Sequence, residues 1–202
     1  MELQRALSDL EEVRDRLSHL QRFEGYSAPA AVASGVGALV AGYVQLRVAP
    51  LPQTPEALHA YIVIWLSCLA VALALNYGAV AVWVLKNHGA RAQSQFRSAA
   101  RSIAPSIVLG GALTAARIGQ SAYPLLPGAW FALYAIGLFA SRSVVPPSTL
   151  GITFAFAALA LTFLVTPLAS LALAWWVMPL GFGVGQSVIG YLICQGGRHG
   201  RV

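Results

Sequence analysis

Apolar residues run along this chain in blocks of roughly twenty, separated by short stretches rich in proline, glycine and basic side chains. About 20 residues at ~1.5 Å each match a hydrocarbon core of about 30 Å, so each block has the length of a membrane crossing. Six blocks can be placed, at about residues 28–48, 61–85, 103–123, 127–145, 149–165 and 173–194. The clearest pair lies between Ile103 and Pro147, where two apolar runs meet at the turn YPLLPG. Pro124, Pro127 and Gly128 stop one helix and restart the next, and Tyr123 and Trp130 flank the turn as interfacial aromatics. The pattern predicts an all-α membrane protein whose residues 25–202 form a six-helix transmembrane bundle.

A different pattern precedes the bundle. In residues 2–23, Leu3, Leu7, Leu10, Leu17 and Leu20 recur at helical spacing, with Val13 or Arg14 completing the stripe. Glu12 with Arg16 and Glu11 with Arg14 supply pairs at i,i+4 and i,i+3. Residues 1–24 therefore read as a cytoplasmic amphipathic helix; a signal peptide would need a basic start and a longer apolar run. This helix could lie against the membrane or the inner face of the bundle. Alternatively it could form a short coiled coil for self-association or for docking a protein partner. Three heptads at most, one with Arg14 in the core, leave both alternatives open.

Composition agrees with the blocks: 57% of residues are hydrophobic and only 10% are charged. A soluble fold needs far more surface charge. The net charge of +6 hides a split. Residues 1–24 hold six acids (Glu2, Asp9, Glu11, Glu12, Asp15, Glu24) and four arginines, whereas residues 25–202 hold nine bases and only Glu56 as an acid. Those bases sit at block ends, which argues for topology signals and anionic headgroups as partners, not nucleic acid. With six spans and both termini inside, Arg5, Arg14, Arg16, Arg22, Lys86, Arg91, Arg97, Arg101, Arg142, Arg198 and Arg201 are cytoplasmic. Only Arg47 and Arg117 then face the outer side.

Chemistry inside the blocks is sparse. No Asp, Glu or His lies within them, so proton relays, carboxylate-coupled transport, haem ligation and zinc catalysis lack their residues. No base stands ready to activate a span serine, and Cys68 and Cys194 fall at depths too different to pair. No cofactor, metal site or catalytic residue is expected. Arg117 sits on a stripe with Ser106, Gly110, Thr114 and Ser121 at i,i+3 or i,i+4 spacing, and the candidate polar cavity is Ser106, Thr114 and Arg117 with the deep side chains Asn76 and Gln186. Arg117 either reaches the outer headgroups, contacts an anion in an outward cavity, or bonds Gln186 or backbone carbonyls. Close helix packing is expected at Gly35, Gly37, Gly111, Gly181 and Gly185; Ala33, Gly37 and Ala41 are spaced four apart, and Gly181 with Gly185 forms GxxxG.

The segments SGVGALVAGY (Ser34–Tyr43), IAPSIVLGGALT (Ile103–Thr114), LPGAWFALYAIGLFASRSVVP (Leu126–Pro146) and GFGVGQSVIGYLIC (Gly181–Cys194) resemble a group of uncharacterised bacterial six-span membrane proteins. The resemblance implies a multi-pass protein of the bacterial inner membrane with a short N-terminal helix before the spans. It carries over no site residue. Two functions follow as expectations: a non-enzymatic interaction or regulatory subunit of a membrane complex, or a channel or facilitator for a small neutral or anionic solute built on the Arg117 stripe.

Overall fold

A computed structural model describes residues 27–86, 90–142, 147–166 and 169–199. The amphipathic helix expected over residues 1–24 lies outside these residues. The described residues are helical and form no strand. Helix α1 spans Ala28–Val48, the bounds expected from its apolar run. The Ser27 hydroxyl accepts from the Ala30 N–H at 3.4 Å, and proline stands in the first turn, two ordinary start signals.

Helix α2, Pro55–Lys86, starts six residues before the expected Tyr61. The cause is local: Pro55 suits a first turn, Glu56 complements the helix dipole there, and the Thr54 hydroxyl accepts from the Ala57 N–H at 3.3 Å. Helix α3, Ala90–Gly119, likewise begins well before Ile103, because the stretch ARAQSQFRSAAR is polar yet rich in good helix formers. Pro105 inside it removes one helix hydrogen bond. A 3-10 turn, Tyr123–Leu125, leads into α4, Leu126–Ala140. A second, Pro147–Thr149, leads into α5, Leu150–Val165. After the single turn α6, Ala169–Ala172, a π-helical segment Pro179–Val184 runs directly into α7, Gly185–His199. Leu173–Trp176, expected to open the sixth span, are non-helical.

Four helical segments among the described residues are long and apolar enough to cross a membrane: Ala28–Val48, Pro55–Lys86, Tyr123–Ala140 and Pro147–Val165. Ala104–Gly119 forms a shorter apolar helix. These helices mark the chain as a membrane protein, and aliphatic side chains such as Val40, Val71, Val108 and Leu161 point outward, as a bilayer environment favours.

Contacts fix the helix directions. Gln45 meets Trp65 and Ser34 meets Asn76, so α1 and α2 are antiparallel. Thr114 meets Trp130 and Ser106 lies beside Gly137, so α3 and α4 are antiparallel. Gly128 abuts Leu164, which makes α4 and α5 antiparallel too. Along α1, Gly42 faces Pro179, Gly35 faces Gly183 and Ser187, and Val32 faces Gly190, so the π segment and α7 run against α1. The core between these helices is aromatic: Phe131 lies 5.8 Å from Phe156, 6.1 Å from Phe163 and 5.1 Å from Phe182 by ring centroids.

Of the two α1 glycines expected to pack closely, Gly35 lies in the buried seam and Gly37 does not. The buried seam of α1 includes Ala31, Gly35, Ala38, Gly42 and Gln45, alternating four and three residues apart. A β-carbon on Gly42 would overlap the Pro179 ring, and one on Gly35 would sit 2.5 Å from the Ser187 hydroxyl. At Gly37 a β-carbon would meet nothing within 4 Å, so the expected packing role there is corrected. Gly37 lines an apolar groove of about 370 Å³ between α1 and α2, with Ala33, Ala41, Val44, Cys68 and Leu75. Gly111 also has open space beside it. Gly181 and Gly185 pack directly on the Phe131 and Phe156 rings, so they admit aromatic side chains, not a neighbouring backbone.

Candidate functional site

Helix geometry decides which polar side chains can meet, since residues three or four apart share a face and α3 presents its stripe toward α4. Thr114 uses that face. Its hydroxyl donates to the Gly110 carbonyl at 2.7 Å and accepts from the Trp130 Nε1–H at 2.9 Å. Ser106, two turns earlier, lies against Gly137, whose β-carbon position is 3.4 Å from the Ser106 Oγ. Arg117 turns back on its own helix end, where Nη1 donates to Gln120 Oε1 at 3.3 Å. Gln186 stands on α7 and donates to the Tyr134 hydroxyl at 2.6 Å. Asn76 donates to Ser34 Oγ and to the Ala72 carbonyl, both at 2.8 Å.

The five residues expected to line one cavity are thus held in separate contacts: α3 with α4, α4 with α7, α1 with α2, and Arg117 with its neighbour. None of the five lines the α1–α2 groove. The correction has a physical reason. A side chain with hydrogen-bonding capacity in an apolar bundle takes the nearest partner, because leaving it unpaired is costly.

Sequence reasoning missed a fully buried amide side chain. Gln45 is fully buried near the far end of α1. Its Oε1 accepts from the Trp65 Nε1–H at 2.8 Å, and its Nε2 donates to the Leu173 carbonyl at 2.9 Å. One side chain therefore joins α1, α2 and the irregular stretch after α6. That stretch is also held by the Trp175 N–H, which donates to the Pro50 carbonyl at 3.1 Å. Non-helical backbone is tolerated at membrane depth where protein covers it, and Ala172, Leu173 and Val177 are buried. The readable signal was weak, a glutamine two residues before Arg47 at the end of a span.

Two buried hydroxyls among the described residues, Tyr61 and Ser141, have no hydrogen-bond partner. Tyr61 is fully buried and its ring lies nearly parallel to that of Trp130, with centroids 6.2 Å apart. At the end of α3, the Ala122 N–H bonds the Arg117 carbonyl and the Ser121 N–H bonds the Ile118 carbonyl. This is the double-bonded helix stop that usually places glycine in the left-handed position, yet Ser121 occupies it, with φ 55°. Cys68 and Cys194 are both free thiols. Among the described residues, no three His, Cys, Asp or Glu side chains are grouped to hold a metal ion.

Comparison with known proteins gives no match: no protein family, no curated protein and no solved structure is significantly similar to this chain.

Proposed function

We propose that this chain is a non-enzymatic six-span protein of the bacterial cytoplasmic membrane, with both termini inside, acting as an interaction or regulatory subunit of a membrane complex. The observation that carries the reading is the pairing of its deep polar side chains. Gln45, Asn76, Thr114 and Gln186 each bond a partner on another helix or loop, which leaves them as glue between helices. A channel for a small neutral or anionic solute would need such groups to converge on a path, and their contacts favour the subunit reading over it.

Alternating helix directions support an even number of crossings, and the placement of Lys and Arg supports an inside location for both ends. The resemblance to bacterial six-span proteins points the same way. Residues 2–23 supply the interaction element, with a leucine stripe free of any membrane-crossing duty.

The test is co-purification of the tagged full chain from native membranes in mild detergent, read by mass spectrometry. A defined partner should accompany the wild type and be lost from Leu10→Glu/Leu17→Glu. A chain that purifies alone, or keeps the same partners in the variant, refutes the subunit reading. Orientation is checked separately in a background lacking Cys68 and Cys194. Cysteines placed at Gln53 or Thr54 should react with an impermeant reagent outside intact cells, and one at Ser94 should not.

A further inference from the structure

We propose that the groove between α1 and α2 binds one anionic phospholipid, its acyl chain lying along Gly37 and its phosphate held by Arg47 and Tyr43. The groove exists because neither helix fills it. Ala33, Gly37 and Ala41 of α1 line it together with Ser67 and Ala72 of α2, and a β-carbon on Gly37 would meet nothing within 4 Å. Two side-chain bonds tie the helices together near its ends: Trp65 to Gln45 and Asn76 to Ser34, each at 2.8 Å. Along that length the small side chains leave about 370 Å³, a volume in the range of about 300–1,000 Å³ found for small-ligand sites.

A gap open to hydrocarbon is filled, because an empty lining forfeits its dispersion contacts. Its dimensions select the occupant. On α1 the lining runs from residue 33 to residue 44, ~17 Å of helix, close to the ~15 Å depth of one leaflet. Spread over that length, the volume gives a cross-section of ~22 Å². One methylene chain, with neighbouring carbons about 4 Å away, needs ~16–20 Å². A helix 10–12 Å across needs ~80–110 Å², so a second copy or a partner helix fits poorly.

The charge at one end of the groove selects the headgroup. Arg47 lies three residues beyond Val44 and seven beyond Val40, on the same face as these two lining residues. It stands one residue from the end of α1, whose 21 residues span ~31 Å, so it meets the edge of the hydrocarbon where phosphates lie. Its Nε and Nη2 donate to the Tyr43 hydroxyl at 3.2 and 2.9 Å, and its guanidinium carbon is 5.3 Å from the centre of the Tyr43 ring. Both side chains are exposed. Nη1 and the Tyr43 O–H are donors suited to a phosphate oxygen. Among the described residues the acid is Glu56. The pairing of Gln45 with Trp65 sets Arg47 level with Val63, which leaves Glu56 ~10 Å further along α2 before the gap between the helices is added. A zwitterionic headgroup brings its own cation beside the phosphate, whereas an anionic one neutralises Arg47 without that competitor.

The test uses the purified full chain carrying Cys194→Ser, in phosphatidylcholine vesicles with a trace of phosphatidylglycerol that bears a photoactivatable diazirine on its acyl chain. After illumination the tag should map to residues 37–44 and 63–75, and unlabelled phosphatidylglycerol should displace it at lower concentration than phosphatidylcholine does. Gly37→Leu fills the groove and should abolish the tag there, while Gly111→Leu, on α3, leaves it unchanged. Arg47→Gln should weaken displacement by phosphatidylglycerol about tenfold, the loss of a charge-assisted bond. Arg47→Lys should weaken it less, keeping the charge without the fork, and Tyr43→Phe tests the second donor. Melting temperatures in detergent show that each variant is folded. A tag spread evenly over exposed aliphatic side chains, or one indifferent to Gly37→Leu, marks bulk lipid and overturns the proposal. Equal displacement by the two lipids, unchanged in both Arg47 variants, overturns it as well. A Cys68–Cys68 link between two chains under mild oxidation overturns it in favour of a second copy. No protein partner enters this measurement, so it stands apart from the co-purification result.

Discussion

The Trp65 indole N–H donates to the Gln45 side-chain oxygen at 2.8 Å, and Gln45 in turn donates to the Leu173 carbonyl across 128 residues of chain. Gln45→Leu removes both bonds at once and strands a buried indole N–H and a buried carbonyl. Each orphaned group costs about 1–3 kcal/mol in a protein interior, nearer 0.6–2 for interhelical bonds in membranes. The expected outcome is a clear fall in the apparent melting temperature in detergent. Trp65→Phe should lower it less, and the double variant should lose less than the sum.

Glycines separate into two classes by what surrounds them. Gly42→Leu and Gly35→Leu force α1 off the π segment and α7, at a cost of about 1–3 kcal/mol or more, and should reduce the yield of folded protein. Gly37→Leu projects into the α1–α2 groove and Gly111→Leu into open space, so both should stay within about 0.5 kcal/mol of wild type. Size-exclusion profiles and melting temperatures of the four variants decide it.

Ser121→Gly should stabilise the chain. The left-handed conformation costs a residue with a β-carbon about 1–2 kcal/mol, and glycine adopts it freely. A rise in melting temperature is expected; no change would mean that the Ser121 side chain earns its place through a contact of its own.

Tyr61→Phe is the counterintuitive case. Deleting an unpartnered, fully buried hydroxyl removes a desolvation cost of up to about 1–3 kcal/mol while keeping the ring stacked on Trp130. Stability should hold or rise. A marked loss would reveal a water bridge at that hydroxyl.

Arg117→Lys should be nearly silent in folding and in partner capture, because a lysine can reach the same headgroup layer and the Gln120 contact is a single bond. A two-pronged anion contact would instead be lost with lysine. Arg117→Gln separates charge from hydrogen bonding in the same assay.

Helix content was readable from the sequence because twenty-residue apolar blocks admit one satisfied backbone conformation in lipid. The bounds of α1 and the end of α5 at Val165 follow from that alone. The starts of α2 and α3 were harder. Pro55 with Glu56, and the polar run from Ala90, extend helices past the apolar limit, where hydropathy carries no information but capping and propensity do. The polar residues were legible as deep but not as paired. Spacing along α3 sets which residues share a face, whereas the partners of Thr114 and Gln186 depend on how α4 packs, and a glutamine three residues from the end of α1 gave no hint of full burial.

The antiparallel seam between α1 and the π–α7 segment sets a timetable for synthesis. Among the described helices, the first to be made has one face closed by the last. At about 5–20 residues per second, the 128 residues between Gln45 and Leu173 take roughly 6–26 s to be made. Throughout that interval α1 has its small-residue seam uncovered and packs against α2, to which Trp65 and Asn76 hydrogen-bond it. Premature termination between Lys86 and Pro179 therefore releases an inserted but open chain, one whose exposed seam is a ready target for membrane quality-control proteases.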